Sequence, residues 1–68
     1  MKYVYTLDMC SACEELKKNL ITAGEKFEER DGKRLMNINT IVDEIDREAF
    51  IKLQMQNQSF PVLVEVGD

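Results

Sequence analysis

Two cysteines lie three positions apart, between two segments of opposite secondary-structure preference. The segment Lys2–Leu7 before them is dense in aromatic and β-branched side chains, which predicts a strand. The segment Glu14–Ile21 after them is rich in helix formers, and Gly24 follows where a helix would end. A strand, a turn and a helix therefore place Cys10 at the N-terminal end of the helix and Cys13 one turn inside it.

This position of the cysteines favours thiol chemistry. The first amide groups of a helix have no partners within the helix and carry partial positive charge. They therefore stabilise a thiolate, which is the form of cysteine that attacks disulfides. Cys13 is close enough to Cys10 to close a disulfide onto it. The spacing predicts a dithiol redox site formed by Cys10 and Cys13.

Three other roles of the cysteine pair have to be weighed. A zinc site would need ligands from a second chain or from carboxylates, and an iron–sulfur site would need two chains, because this chain has two cysteines and no histidine. A static structural disulfide would suit a secreted chain, but the N-terminal apolar run is too short and too polar for a signal peptide. Inert core thiols do not suit a helix end that is flanked by polar residues. We therefore predict a redox pair and no metal site.

Composition and charge limit the classes of protein further. Sixty-eight residues make one small domain, residues 1–68. No segment is long enough to span a membrane, so we expect a soluble protein of the cytoplasm. The formal charge of −4 and the lack of a basic stripe argue against a nucleic-acid partner.

The rest of the chain predicts two more strands and a second helix. In the first helix we expect one apolar face, formed by Ala12, Leu16, Leu20 and Ala23. Lys26–Arg30 is expected to form a second strand, parallel to the first through a right-handed crossover. A helix is expected over about Asp46–Gln56. Its start fits either Asp43 or Asp46, or an earlier cap at Asn37 or Asn39, so residues 33–42 stay open. Phe60–Val66 is expected to form a third strand, with the proline at its start.

In this order the elements resemble those of the glutaredoxins and the wider thioredoxin superfamily. The matching residues are Tyr5-Thr6 at the end of the first strand, Cys10–Cys13 at the start of the helix, and Phe60-Pro61 before the third strand. The resemblance implies an α/β, thioredoxin-like βαβαβ fold with flanking helices. Its mixed three-stranded sheet would have the order 2-1-3, with the third strand antiparallel to the first. Because the chain given stops at Gly67-Asp68, a short form without the usual fourth strand and final helix is expected.

The resemblance also implies roles for individual residues. Cys10 would attack a disulfide as a thiolate, and Cys13 would resolve the mixed disulfide. Pro61 would follow a cis peptide bond and face the cysteines, while the Phe60 backbone would pair with an extended substrate chain. The residues expected to contact the substrate are Ser11, Ala12, Phe60 and Pro61.

The implied function is that of a dithiol oxidoreductase without a bound cofactor, which reduces disulfides in proteins or small molecules. Glutathione or a flavoprotein reductase would supply the electrons. Leu7 and Ala12 stand where the family usually has residues that support glutathione, so weak glutathione affinity is expected. The alternatives are a thioredoxin-like hydrogen donor that does not use glutathione and a metal or iron–sulfur binding module formed by two chains. The apolar third strand would form an edge, and it is expected to pair with a second copy of the chain.

Overall fold

The computed structural model describes residues 1–57 and 59–67, so Gln58 and Asp68 of the predicted 1–68 domain lie outside the described residues. In chain order the elements are β1 (Lys2–Thr6), α1 (Ser11–Thr22), β2 (Phe27–Asp31), two short 3₁₀ helices (Gly32–Met36 and Ile38–Thr40), α2 (Glu44–Gln54) and β3 (Val62–Glu65). The described part of the chain is therefore a mixed α/β structure with one three-stranded sheet and two α-helices.

The strands are ordered β2-β1-β3 in the sheet. β1 is parallel to β2, with Thr6 opposite Asp31, and antiparallel to β3, with Tyr5 opposite Val62. The mixed sheet and its strand order confirm what the resemblance implies. The C-terminal ends of β1 and β2 and the N-terminal end of β3 meet at one edge, formed by Thr6, Asp31 and Val62. We call this edge, with the loops that continue from it, the dithiol end of the sheet.

One face of the sheet carries the main hydrophobic core and packs against α2 and the first 3₁₀ helix. The buried residues of this core are Tyr5, Leu35, Ala49, Val62 and Val64. Tyr5 and Val62 lie opposite each other, and residues in register share a face of a sheet. Leu35 closes the core from the segment 33–42, for which the sequence pattern predicts no single element.

The second helix is confirmed in its place, and it begins before Asp46. It spans Glu44–Gln54, whereas the pattern predicts about Asp46–Gln56. The earlier start follows from Asp43, whose carboxylate accepts a hydrogen bond from the Asp46 N–H at 2.8 Å and caps the first turn.

The opposite face of the sheet is covered by α1. Glu29 of β2 lies opposite Val4 and therefore shares its face. The Lys17 ammonium donates a hydrogen bond to Glu29 at 3.1 Å, which places α1 over this face. Val4 of β1 and the side chains of Cys13 and Leu20 in α1 are buried.

The apolar face predicted for α1 is partly wrong. Leu16 is half-buried and Leu20 is buried, but Ala12 and Ala23 are exposed. The α1 residues that are buried or half-buried are Cys13, Leu16, Lys17 and Leu20. Alanine gains little from burial because its side chain is small. Lys17 instead covers apolar surface with its methylene stem and keeps its ammonium bonded to carboxylates.

The outer edge of β3 is partly occupied by a side chain. The Met1 amine donates to the Val66 carbonyl oxygen and the Val66 N–H donates to the Met1 carbonyl oxygen, both at 2.9 Å. Hydrogen-bonded pairs alternate along an antiparallel ladder, so Leu63 and Glu65 direct their backbone groups away from β1. The Lys52 ammonium donates to the outward Leu63 carbonyl oxygen at 2.9 Å. The edge that the sequence predicts to be open therefore carries a lysine, a residue type that discourages strand pairing.

Candidate functional site

The two cysteines lie at the N-terminus of α1 and form a disulfide with each other. Their Cα atoms are 5.2 Å apart, inside the range of roughly 4.4–6.8 Å that bridged cysteines usually have. Cys13 is fully buried, whereas Cys10 is only half-buried. Cys10 directly precedes the first helical residue, Ser11, which is the position that the sequence predicts.

Cys10 caps α1 through its sulfur. The Cys13 N–H donates to Cys10 Sγ at 3.1 Å, and the Glu14 N–H donates to the Cys10 carbonyl oxygen at 3.2 Å. Residues with a short side-chain oxygen usually fill this position, because the oxygen accepts an N–H that has no partner within the helix. Here the sulfur accepts that N–H. A negative charge that develops on Cys10 Sγ is therefore met by the free amides at the start of α1.

Acidic side chains near the cysteines are paired with lysines. Asp8 lies 3.6 Å from the Lys33 ammonium, and Glu14 lies 3.0 Å from the Lys17 ammonium. The sequence places the two carboxylates near Cys10, but only the tertiary structure brings Lys33 to the same end of the sheet. Both carboxylates are largely exposed, 92% for Asp8 and 74% for Glu14, so each pair is screened by water and offsets only part of the negative charge.

A polar cluster joins α1 to the strands beside Cys13. The Thr6 hydroxyl donates to the Glu29 carboxylate at 2.7 Å, and the Lys17 ammonium donates to the same oxygen at 3.1 Å. These two hydrogen bonds hold the pKa of Glu29 below its usual value. The pKa of Lys17 is raised by its bonds to Glu14 and to Glu29. The cluster fixes the first turns of α1 against the ends of β1 and β2.

The turn before β3 lies at the dithiol end of the sheet. The Phe60-Pro61 peptide bond is cis, as the resemblance implies. β3 begins at Val62 and not at Phe60 as predicted, so the proline directly precedes the strand. The Phe60 side chain packs against the core and also lies against Gly32, the first residue after β2.

The predicted site residues lie at one end of the sheet, but they do not form one surface. A shallow depression is lined by Met9, Cys10, Ser11 and Glu14. Ala12 is exposed beside it on the first turn of α1, and Phe60 and Pro61, which are half-buried, do not line it. Met9 is fully exposed and has a φ of 56°, in the left-handed region that a methionine rarely adopts. Nothing in the sequence signals this conformation, and it places an apolar side chain next to Cys10.

A second polar cluster lies on the opposite face, at the N-terminus of α2. Asp46 is fully buried and accepts hydrogen bonds from the Tyr5 hydroxyl, from Arg30 at 3.0 Å and from the Val42 N–H at 3.2 Å. Burial opposes ionisation of Asp46, but the hydrogen bonds from Tyr5, Val42 and Arg30 outweigh it and hold the pKa of Asp46 below its usual value. Burial and the bond to Asp46 raise the pKa of Tyr5 far above its usual value.

Arg30 holds this second cluster together. Its guanidinium also contacts Asp43 at 2.8 Å and Glu28 at 2.6 Å, and it lies 4.8 Å from the centre of the Tyr3 ring. The side chain is only 14% exposed. An arginine that binds several carboxylates and stacks on an aromatic ring is typical of a structural anchor.

Within residues 1–57 and 59–67, no group of three or more His, Cys, Asp and Glu side chains is arranged to hold a metal ion. Across the same residues, neither α1 nor α2 combines the length and the apolar character that a membrane crossing requires.

Comparison with protein-family models, with curated proteins and with solved structures finds no match to this chain. The resemblance to glutaredoxins therefore rests on the residues that carry it in the sequence, and what it implies about function remains a prediction.

Proposed function

We propose that this chain is a small dithiol oxidoreductase of glutaredoxin-like type that reduces disulfides. One observation carries the proposal: the sulfur of Cys10 caps α1 and also forms a disulfide with the buried Cys13. Exchange in two steps needs an accessible sulfur that is stabilised as a thiolate and a second thiol within bonding distance. The pair at the start of α1 has both properties.

The proposed fold is thioredoxin-like. Its support is the order of the elements: a parallel β1-α1-β2 crossover, then α2, then β3 antiparallel to β1. The cysteines at the start of α1 and Pro61 before β3 stand at the same end of that sheet, as this fold requires.

In the first step, the Cys10 thiolate attacks one sulfur of the substrate disulfide. A bond forms between Cys10 and that sulfur, the substrate disulfide breaks, and the other substrate sulfur leaves as a thiolate. In the second step, Cys13 loses its proton and attacks Cys10 Sγ. The mixed disulfide breaks, the second substrate thiolate leaves, and the Cys10–Cys13 disulfide forms. Two electrons pass to the substrate, and the protons of the two cysteines are balanced by the two product thiols.

The burial of the cysteines supports this assignment of roles. Cys13 is fully buried, so a substrate disulfide in solution meets Cys10 first. The same burial keeps Cys13 beside Cys10 while the mixed disulfide exists, which favours the second step over escape of the intermediate.

An external thiol must return the protein to its reduced state. Two glutathione molecules or a flavoprotein reductase are the proposed electron sources, proteins with disulfides are the proposed substrates, and a reducing compartment such as the cytoplasm is the proposed location. Three basic residues could contact a glutathione carboxylate. Arg34 is directed to Asp46 and Lys52 to the Leu63 carbonyl oxygen, which leaves Lys33 at the dithiol end. We therefore expect weak glutathione affinity.

The proposal is tested by turnover of insulin disulfides and of bis(2-hydroxyethyl) disulfide, with either dithiothreitol or glutathione plus its reductase as electron donor. The expected result is catalysis of both reductions with dithiothreitol and slower catalysis with glutathione. A folded wild-type protein that catalyses neither reduction with any of these donors would refute the proposed function.

We also propose a homodimer through the outer edge of β3, because Leu63 and Glu65 direct backbone groups away from β1. Lys52 competes for the Leu63 carbonyl oxygen, so Lys52→Met should strengthen association in sedimentation experiments. Lys18→Met, at an exposed position of α1, is the matched control and should not change it. Two strictly monomeric proteins at high concentration would contradict this assembly.

A further inference from the structure

Gly32 follows β2 directly, and its α-carbon faces two parts of the dithiol end at once. A Cβ atom added there would lie 2.8 Å from the Thr6 carbonyl oxygen and 3.0 Å from Phe60 Cδ1, and it would overlap Phe60 Cε1. The residue is buried. Its φ is not among the positive values found at Gly24, Met9 and Asn57, so the backbone conformation does not require a glycine. The space between Thr6 and Phe60 requires it.

The backbone on either side of Gly32 has little freedom to retreat. The Asp31 carboxylate accepts a hydrogen bond from the Lys33 N–H at 2.9 Å and fixes the start of the first 3₁₀ helix. Leu35, in the same short helix, is fully buried in the core. On the other side, Thr6 ends β1 in register with Asp31. The half-buried Phe60 ring is therefore the neighbour that can move most easily, and the 2.8 Å approach to the Thr6 carbonyl oxygen adds a small backbone adjustment.

The two neighbours of Gly32 belong to the two halves of the proposed site. Thr6 ends the strand that leads to Cys10. Phe60 precedes Pro61 and β3, and its backbone is the part expected to pair with an extended substrate chain. A side chain at position 32 would change the separation of these two halves without altering the hydrogen bond from the Cys13 N–H to Cys10 Sγ.

We propose that Gly32 is a positioning residue for polypeptide substrates: the absence of its side chain leaves room for the Phe60 ring and so sets where the Phe60 backbone is held at the dithiol end. This inference rests on the proposed function and adds a preference for disulfides in extended polypeptides over small disulfides. A small disulfide needs only Cys10 to react. A polypeptide also needs the Phe60 backbone in register, so its reaction depends on where Phe60 is held.

The test compares Gly32→Ala with wild type on insulin and on bis(2-hydroxyethyl) disulfide. The variant should lose about tenfold in kcat/KM for insulin and less than about twofold for the small disulfide, because a displacement near 1 Å is enough to slow a reaction that depends on orientation. Alkylation of Cys10 in the reduced variant should proceed at the wild-type rate, since the cap of α1 is unchanged. Gly67→Ala is the matched control, because a Cβ atom at Gly67 meets nothing within 4 Å, and it should behave as wild type.

A double variant separates positioning from folding. Phe60→Val removes the ring atoms that a side chain at position 32 would meet and keeps the Phe60 backbone. If the ring transmits the effect, Gly32→Ala in the Phe60→Val background should change the ratio of insulin to small-disulfide kcat/KM by less than about twofold. If Gly32→Ala alone does not fold, the test is the comparison of Phe60→Val with the double variant Gly32→Ala/Phe60→Val.

The possible results distinguish a failure of this inference from a failure of the proposed function. A loss confined to insulin and removed by Phe60→Val supports the inference. An equal loss on both substrates, or no loss on either, overturns it while the wild-type activity still supports the proposed function. A wild type that reduces neither substrate refutes the proposed function, and in that case nuclear Overhauser contacts between the Gly32 α-protons and the Phe60 ring still decide whether the packing exists.

Discussion

Both helices of this protein begin with a side-chain N-cap, but the two capping atoms differ in their chemistry. In α1, the Cys10 sulfur accepts the Cys13 N–H at 3.1 Å, and in α2 the Asp43 carboxylate accepts the Asp46 N–H at 2.8 Å. In both helices the residue that donates this N–H is fully buried. The two starts lie on opposite faces of one sheet.

The difference lies in what the capping atom can do next. At the start of α2, the capping Asp43 carboxylate accepts a hydrogen bond from Arg30, and the buried Asp46 carboxylate beside it is held by Tyr5 and Arg30. At the start of α1, the capping sulfur of Cys10 can leave the cap, bond to Cys13 or bond to a substrate. The α2 start therefore contributes stability, and the α1 start is the place where chemistry is expected.

The largest effect should come from giving α1 an oxygen cap like that of α2. Cys10→Ser keeps a good N-cap residue but removes the nucleophile, so disulfide reduction should fall at least about a thousandfold. Turnover of bis(2-hydroxyethyl) disulfide measures it. Cys13→Ser is the control: it should keep the first step and accumulate a mixed disulfide that mass spectrometry detects. Activity in Cys10→Ser would assign the chemistry to another group.

A substitution at the start of α2 should change the stability of the protein but not its activity. Asp46→Asn leaves the Arg30 guanidinium and the Tyr5 hydroxyl without their buried carboxylate, which should cost about 3 kcal/mol in the free energy of unfolding. That is a large share of the few kcal/mol expected for a domain of this size. Urea unfolding of the oxidised protein measures it, with Asp43→Asn as the control at a more exposed carboxylate. A change below about 1 kcal/mol would show that the cluster is not an anchor.

Part of the pH dependence of stability should also originate at the α2 start. The pKa of Asp46 lies below its usual value, and so does that of Asp43, through the Asp46 N–H and Arg30. The unfolded chain binds protons more readily at these carboxylates, so their stabilisation is complete above about pH 5 and is lost as the pH falls through the lowered pKa values. Urea midpoints at several pH values should fall towards acid, and less steeply in Asp46→Asn. An equal slope in both proteins would place the titrating groups elsewhere.

The smallest effect should come from removing a side-chain cap. Asp43→Ala removes the oxygen cap of α2 and should lower the free energy of unfolding by about 1 kcal/mol. Cys10→Ala should be less stable than Cys10→Ser by a similar amount, since both lack the disulfide and differ only in the cap. Urea unfolding of the four proteins under one condition measures both differences. If alanine and serine at position 10 give equal stability, an oxygen cap at this position contributes nothing to the stability of α1.

Several features of the fold were predictable because they depend on local sequence. The strand, the cysteines and the helix follow one another as predicted, and α1 ends before Gly24, whose φ of 73° suits a glycine. The strand order and the cis bond before Pro61 were accessible only through the resemblance.

The inner face of α1 was predicted wrongly in part, because it depends on packing against strands that are distant in sequence. Periodicity predicts Ala12 on the inner face of α1, but the sheet is met by Cys13 and by the stem of Lys17. The sequence leaves the start of α2 open between Asp43 and Asp46, and the hydrogen bond from the Asp46 N–H to the Asp43 carboxylate decides for the earlier residue.

The sequence by itself determined the chemistry available to this protein: two thiols at the start of a helix, separated by one helical turn. Only the tertiary structure decided their surroundings. It brought Lys33 to Asp8, Lys52 to the edge of β3 and Gly32 against Phe60. Local preferences act over one turn of helix or one strand, whereas these contacts depend on how the strands and helices pack, and packing is a property of the whole chain.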